Sequence, residues 1–198
     1  MKKAWLILIP VVLVIFFMVR SGGNDGKYIQ EIHQFWESRH DFFRSSQASP
    51  FVQKGVEYQK VEYYQPNLDF KVNGKLDRFT KRETLTLGNS DGTTAIYLKF
   101  ANATFKVKGK ECSLLILKAL GFGNQYLLAF GDATSGDTTY GGGRYLDVVI
   151  GKSDQISLDF NKAYNPYCAY FADFTCPLPP SENLLEVAIE AGEKNYPY

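Results

Sequence analysis

The segment Thr104-Phe105-Lys106-Val107-Lys108-Gly109-Lys110-Glu111-Cys112-Ser113-Leu114-Leu115-Ile116-Leu117-Lys118 carries the clearest conformational pattern in the chain. Phe105 and Val107 alternate with lysines, the two-residue period of a strand with one wet face, and Lys108-Gly109-Lys110 then supplies a turn. Residues 112–117 return as a nearly continuous apolar run, which a strand shows when both its faces are covered. The pattern predicts a β-hairpin whose second strand is central in its sheet.

On the N-terminal side, residues 61–64, 68–72, 83–87 and 94–100 read as further strands, separated by Pro66, by Asn73-Gly74 and by the polar turn at residues 88–92. On the C-terminal side, residues 126–130, 144–150 and 155–160 do the same. In residues 185–190, Leu185, Val187 and Ile189 alternate with Glu186, Ala188 and Glu190, so a last strand is expected in preference to a helix starting at Ser181. A different period appears between Tyr28 and Arg44. There Ile29, Ile32, Trp36 and Phe43, helped by Phe35 and Phe42, recur at spacings of three, four and seven, the signature of an amphipathic helix. The expected fold class is mainly β: an antiparallel barrel or sandwich of about eight short strands, one N-terminal amphipathic helix packed on it, and a membrane-anchor helix in front.

That anchor is read from Lys2 and Lys3, which precede an uncharged apolar run at residues 4–19, roughly 24 Å long as a helix against a hydrocarbon core of about 30 Å. Arg20 follows, and no small-x-small cleavage site stands out, which favours a retained anchor within residues 1–20 over a removed signal segment. Lysines before such a run stay cytoplasmic. Residues 28–198, read as a single β-rich domain, are therefore expected on the extracytoplasmic side, periplasmic in a bacterium, after a flexible tether at residues 21–27. The membrane is thus the first expected partner.

With 198 residues, 45% hydrophobic and 22% charged, the composition is that of a folded chain rather than a disordered one. Lys2, Lys3, Arg20 and Lys27 against Asp25 alone contribute +3 to a formal net charge of +1, so residues 28–198 carry about −2. A general nucleic-acid binder would be basic, and no nucleic-acid partner is expected.

Several motifs resemble chemistry and fail on spacing. Gly121-x-Gly123 starts like a dinucleotide fingerprint, but Tyr126 stands at the third glycine. Gly151-Lys152-Ser153 resembles the end of a phosphate loop, yet Leu146 occupies the position of its first glycine. Ser135 lacks the glycine two residues before it that a nucleophile elbow needs. His33 and His40 share a helical face with Glu37, but two turns of separation is loose for one ion, and no metal site is assigned.

Two stretches survive. Residues 131–143 are rich in glycine and small donors and end at Arg144, a combination suited to a carboxylate or phosphate. Its alternative is a closed structural loop in which Arg144 pairs with Asp132 or Asp159. The ligand reading takes Asp132, Thr134, Ser135, Tyr140, Arg144, Asp159 and Asn161 as contacts for a small anionic ligand. The second stretch is bracketed by Cys168 and Cys176. In an oxidising compartment they can close a disulfide, with inert buried thiols, a reactive thiol or half of a metal site as alternatives. Cys112, in an apolar strand, reads as a core residue.

These stretches also carry a resemblance. Asp132-x-Thr134-Ser135-Gly136-x-x-Thr139-Tyr140-x-x-x-Arg144-Tyr145-Leu146, Leu158-Asp159-Phe160-Asn161-x-Ala163-Tyr164-Asn165-Pro166-x-Cys168-Ala169-Tyr170, Cys176-Pro177-Leu178-Pro179-Pro180-x-x-Asn183 and Ala191-Gly192-Glu193-Lys194 resemble the family known as domain of unknown function 1684. Weaker likeness extends to Trp36, Arg39 and Ser49-Pro50. The resemblance implies a recognised unit without naming a reaction or cofactor. Relatives without an export signal that keep both cysteines imply a packing, metal or ligand role for the pair beside the oxidative one.

Three function classes follow. The first is a membrane-anchored module that binds a small anionic ligand or serves as an envelope scaffold. The second is a hydrolase-like or redox enzyme using Asp132, Tyr140, Arg144 and Cys168. The third is a protein-interaction module. The first is favoured because it requires no catalytic group.

Overall fold

The computed structural model describes residues 5–120 and 125–197, with side chains from residue 25 onward. In chain order the elements are α1 (Trp5–Ser45), α2 (Pro50–Lys54), β1 (Lys71–Arg78), β2 (Thr84–Gly88), β3 (Thr94–Val107), β4 (Lys110–Ala119), β5 (Tyr126–Leu127), β6 (Ala129–Phe130), β7 (Arg144–Tyr145) and β8 (Gln155–Asp159).

The hairpin forms where its pattern places it. β3 and β4 pair antiparallel, and Lys108 (φ 49°) and Gly109 (φ 77°) both take the left-handed conformation, the turn that follows the natural twist of two strands. β3 is long enough to serve two neighbours along its other edge, β2 against its first half and β1 against its second, with a register shift between Lys99 and Ala101. β8 extends β1, giving the order β5-β4-β3-β1-β8 with β2 beside β3. β6 and β7 make a separate two-stranded ladder.

The result is an open sheet. The mainly β, antiparallel class with one N-terminal helix is what forms, but among the described residues no closed barrel does, which corrects the barrel expectation: β5 and β8 stand at opposite edges and do not pair. The expected break at Asn73-Gly74 is also absent. Gly74 lies inside β1 opposite both Phe105 and Ile156, and a Cβ there would stand 2.6 Å from the Thr104 carbonyl oxygen, so this glycine permits a close strand approach instead of a turn.

β4 lies one strand from the edge, not at the centre, yet its apolar run is covered on both sides. Leu114 and Ile116 join the main core with Phe130 and Phe160, while Leu115 and Leu117 pack with Leu87. The open edge of β4 at Leu115 is closed by a side chain. The Asn183 amide accepts from the Leu115 N–H (2.6 Å) and donates to the carbonyls of Leu115 (2.9 Å) and Ala129 (2.8 Å), standing in for a neighbouring strand.

Three expected strands contract for related reasons. Residues 61–64 make only an isolated bridge, Tyr63 with Glu193, and residues 144–150 shorten to β7. Residues 185–190 form no strand, although Leu185, Val187 and Ile189 are buried and Glu186 and Glu190 exposed as the alternation requires. The chain bends at Glu186 and Val187, and the carbonyls of Ile189 and Ala191 are taken by the Arg144 guanidinium rather than by a ladder.

α1 carries its buried face on Tyr28, Ile32, Trp36, His40 and Phe43, whereas Ile29 is 39% exposed. The same helix runs through residues 21–27, the stretch expected as a tether. Ser49 caps α2 through its side chain, and Gly55 (φ 65°) ends it. Among the described residues no helix is long and apolar enough to cross a membrane. The side chains of the anchor expected at residues 4–19 lie outside the described residues, as does the Gly121-x-Gly123 turn.

Candidate functional site

Asp132 opens the glycine-rich loop and Arg144 closes it. Asp132 Oδ1 accepts from the Thr134 N–H (2.8 Å), the Thr134 hydroxyl (2.6 Å) and the Ile189 N–H (3.2 Å), and Oδ2 accepts from Arg144 Nη2 at 2.9 Å. Arg144 Nη2 also donates to the Ile189 carbonyl (2.9 Å), and Nη1 to the carbonyls of Glu193 (3.1 Å) and Ala191. Ser135 accepts the Asp132 N–H at 3.0 Å, and Thr134 bonds Thr139 at 2.8 Å. Both ion-pair side chains are 0% exposed. Burial lowers the Arg144 guanidinium pKa and Asp132 opposes that shift. The Arg144 fork is committed to the protein's own oxygens, and Nε is buried without a partner.

Asp159 and Asn161 belong to a second network that shares no member with the first. Asp159 Oδ1 accepts from the Tyr28 hydroxyl (2.8 Å) and from the Asn161 N–H (3.2 Å). Asn161 accepts the Asn67 N–H (2.8 Å), donates to the Asn67 carbonyl (2.8 Å), and offers its own carbonyl to Trp36 Nε1 (3.0 Å). Burial, reinforced by Asp159, raises the Tyr28 phenol above its ordinary range. These groups dock α1 on the turn that follows β8.

The two surviving stretches do meet, through Tyr140 and Cys168 among the expected residues and through Tyr145 and Gly143 beside them. The Tyr140 hydroxyl donates to Cys168 Sγ (3.7 Å), the Tyr145 hydroxyl donates to the Pro177 carbonyl (2.7 Å), and a Cβ on Gly143 (φ 85°) would strike Pro179. Beside this seam a cavity of about 370 Å³ is walled by Tyr145 and Asp147 from one stretch, Tyr164, Asn165, Tyr167, Phe174 and Cys176 from the other, and Arg39 and Phe43 of α1.

Arg39 is the guanidinium this cavity holds. It lies 4.5 Å over the Tyr164 ring and 5.5 Å from the Phe43 ring centre, and its Nε donates to Glu193 Oε1 at 3.0 Å. Among the described residues its two terminal nitrogens take no protein acceptor. Burial works against its charge, but Glu193, Tyr170 and Tyr63 outweigh that and raise its pKa. Glu193 is itself a buried hub, taking the Tyr63 hydroxyl (3.0 Å) on Oε1 and the Asn165 N–H (2.7 Å) and Tyr170 hydroxyl (2.8 Å) on Oε2. Asn165 donates to the Lys194 carbonyl (2.8 Å), leaving Oδ1 buried with no partner.

Cys168 and Cys176 are free thiols, so the disulfide considered for them is not formed here. The Cys168 N–H donates to Cys176 Sγ at 3.1 Å. A hydrogen bond from the Cys176 thiol, aided by the hydroxyls of Tyr140 and Ser90 and opposed by burial, pulls the Cys168 thiol down to about 6. The Cys176 thiol is pushed up by its neighbour Cys168 and by burial.

A helix docked through buried polar networks onto an open antiparallel sheet, with an aromatic cavity at the junction, is the kind of unit this fold defines. Residues 56–194 match the family described as Protein of unknown function (DUF1684), and the chain belongs to that family. It is similar to an uncharacterised protein of Haloarcula marismortui solved by NMR in solution, with 30% identity and a TM-score of 0.63 over 87% of this chain and 96% of that one. No curated protein matches the chain.

Sequence reasoning assigned no role to Arg39, Asn165 or Glu193. Arg39 had a usable signal. It stands three residues after Trp36 and four before Phe43, a charge within the apolar face of an amphipathic helix, and such a charge needs a buried partner. Asn165 and Glu193 stand in the segments that carry the family resemblance, but that marks them without giving a role, because an ordinary amide and carboxylate in irregular segments acquire meaning only from what folds around them.

Proposed function

We propose that this protein is a binding module for a small anion with an apolar body, displayed on the extracytoplasmic side of a membrane. The observation that carries the reading is Arg39. A guanidinium anchored at Nε by Glu193 and flanked by two aromatic rings keeps its terminal nitrogens for an acceptor in the cavity. A carboxylate or phosphate answers that need, while Tyr145, Tyr164, Tyr167 and Phe174 suit an apolar body. Lys2, Lys3 and the apolar run after them support the location.

The test is a thermal-shift and calorimetric panel of carboxylates with an apolar body and their phosphate counterparts on the full chain. A ligand at about 100 times its Kd raises stability by about 2.7 kcal/mol. Arg39→Lys, which cannot serve Glu193 and a bidentate anion together, should weaken binding at least about tenfold. Tyr167→Ala, at the half-open mouth, should weaken it less and leave the fold intact. An unresponsive panel, or equal affinity in Arg39→Lys, overturns the reading.

A further inference from the structure

We propose that Cys168 and Cys176 form a reversible dithiol–disulfide centre that exchanges with disulfides arriving through the aromatic cavity. This goes beyond the binding reading, since it uses the cavity only as an entry and does not require Arg39.

The geometry differs from that of two inert core thiols. An apolar thiol such as Cys112 on β4 packs among hydrocarbon, and its pKa is raised by burial. Around Cys168 and Cys176 donors converge: the Cys168 N–H on Cys176 Sγ (3.1 Å) and the Tyr140 hydroxyl on Cys168 Sγ (3.7 Å). Donors directed at sulfur favour a thiolate, and two adjacent cysteines supply both an attacking sulfur and a resolving one. The partners are also fixed from outside. The Ser90 N–H donates to the Cys176 carbonyl (2.9 Å) and the Cys176 N–H to the Ser90 hydroxyl (3.1 Å), which ties the second cysteine to the turn after β2. Cys176 lines the cavity, and the Cys168 N–H on its sulfur (3.1 Å) places Cys168 directly beside that approach path. Among the described residues no group of three His, Cys, Asp or Glu side chains is placed to hold a metal, so the sulfurs are left to chemistry with each other.

The exchange balances with a disulfide R–S–S–R′ as oxidant. The Cys168 thiolate attacks one donor sulfur, the R–S–S–R′ bond breaks, a Cys168–S–S–R bond forms and R′S⁻ leaves. Cys176 gives up its proton, its sulfur attacks the Cys168 sulfur, and RS⁻ departs as the Cys168–Cys176 bond closes. Two protein thiols are oxidised, and the donor is reduced to two thiols that take up the released protons. A dithiol reverses the sequence.

The experiment equilibrates the full chain with glutathione buffers of graded ratio, and in parallel with an oxidised CxxC protein, followed by acid quenching, alkylation and peptide mass analysis. The expected result is loss of two hydrogens mapped to Cys168 and Cys176, reversed by added thiol, with Cys112 unchanged. Reaction with glutathione disulfide alone assigns a small-molecule source, and reaction with the protein alone a protein source; both outcomes support the centre. Cys176→Ser should trap glutathione on Cys168 and Cys168→Ser at least about tenfold less, and Tyr140→Phe should slow iodoacetamide at about pH 6.5 roughly tenfold. A folded wild-type chain whose Cys168 and Cys176 stay reduced at every ratio and with both donors overturns the proposal, whatever the variants do. So does glutathione trapped on Cys176 in Cys168→Ser but never on Cys168 in Cys176→Ser. Ligand binding measured on the same sample reports separately on the Arg39 reading.

Discussion

Asp132 and Arg144 show why an arginine after a glycine-rich loop can have two meanings. A surface arginine there would offer its fork to a ligand, but at 0% exposure the same fork gathers the carbonyls of Ile189, Ala191 and Glu193. Breaking a buried pair leaves a desolvated charge uncompensated, which costs about 3–5 kcal/mol. Asp132→Ala is therefore expected to lower the unfolding free energy by about that much in urea titration. Arg144→Lys should lower the melting temperature, since an ammonium cannot reproduce four planar contacts. A variant with unchanged stability would contradict the structural role. The sequence reading had weighed this pairing against an anion clamp, and the residues alone could not separate them because both use the same groups. Burial separates them.

At the scale of elements, α1 is held by polar contacts as much as by its apolar stripe, and His40 is one of them. Its Nδ1 bonds the Tyr58 hydroxyl at 2.7 Å, the Tyr63 ring packs edge-on, and Glu37, Lys60, Arg44 and Glu193 surround it electrostatically. Burial lowers the His40 pKa, with Lys60 assisting. The unfolded chain then binds a proton before the folded chain does, so stability rises with pH and is lost as pH falls through about 6.5. Melting temperatures measured from about pH 7.5 to 5.5 should drop on the acid side. His40→Gln, which keeps a polar partner for Tyr58, should flatten that drop, and a parallel drop in the variant would exclude His40 as its source. The helix itself was legible from its period, but its buried face is offset from the one expected: Tyr28 turns in and Ile29 out. The Tyr28 hydroxyl reaches Asp159, a partner 131 residues away, and no local pattern encodes that.

For the whole molecule, Glu193 joins α1 through Arg39, the 58–64 segment through Tyr63, and the cysteine-bracketed stretch through Asn165 and Tyr170. Glu193→Gln removes the charge opposite Arg39 and converts one acceptor into a donor facing donors. The expected cost is about 3–5 kcal/mol in denaturant unfolding, with hydrogen exchange accelerating together in those three segments. Exchange that accelerates in one segment only would show that Glu193 does not couple them. Because Arg39 and Asn165, which Glu193 holds, both line the cavity, ligand affinity should fall in this variant even though Glu193 does not face the ligand.

Patterns with a short period were readable from the residues: the β3–β4 hairpin, the helical period of α1, and the alternation of Leu185, Val187 and Ile189, because backbone geometry imposes them locally. Family membership was readable too, since it rests on residue identity at fixed spacing. Whether alternation becomes a strand, whether Gly74 bends or joins strands, and whether Arg39 or Arg144 keeps free nitrogens were settled by the folded arrangement. Each depends on which distant carbonyl, carboxylate or ring arrives to satisfy a buried polar group, and that demand exists only once water has been excluded.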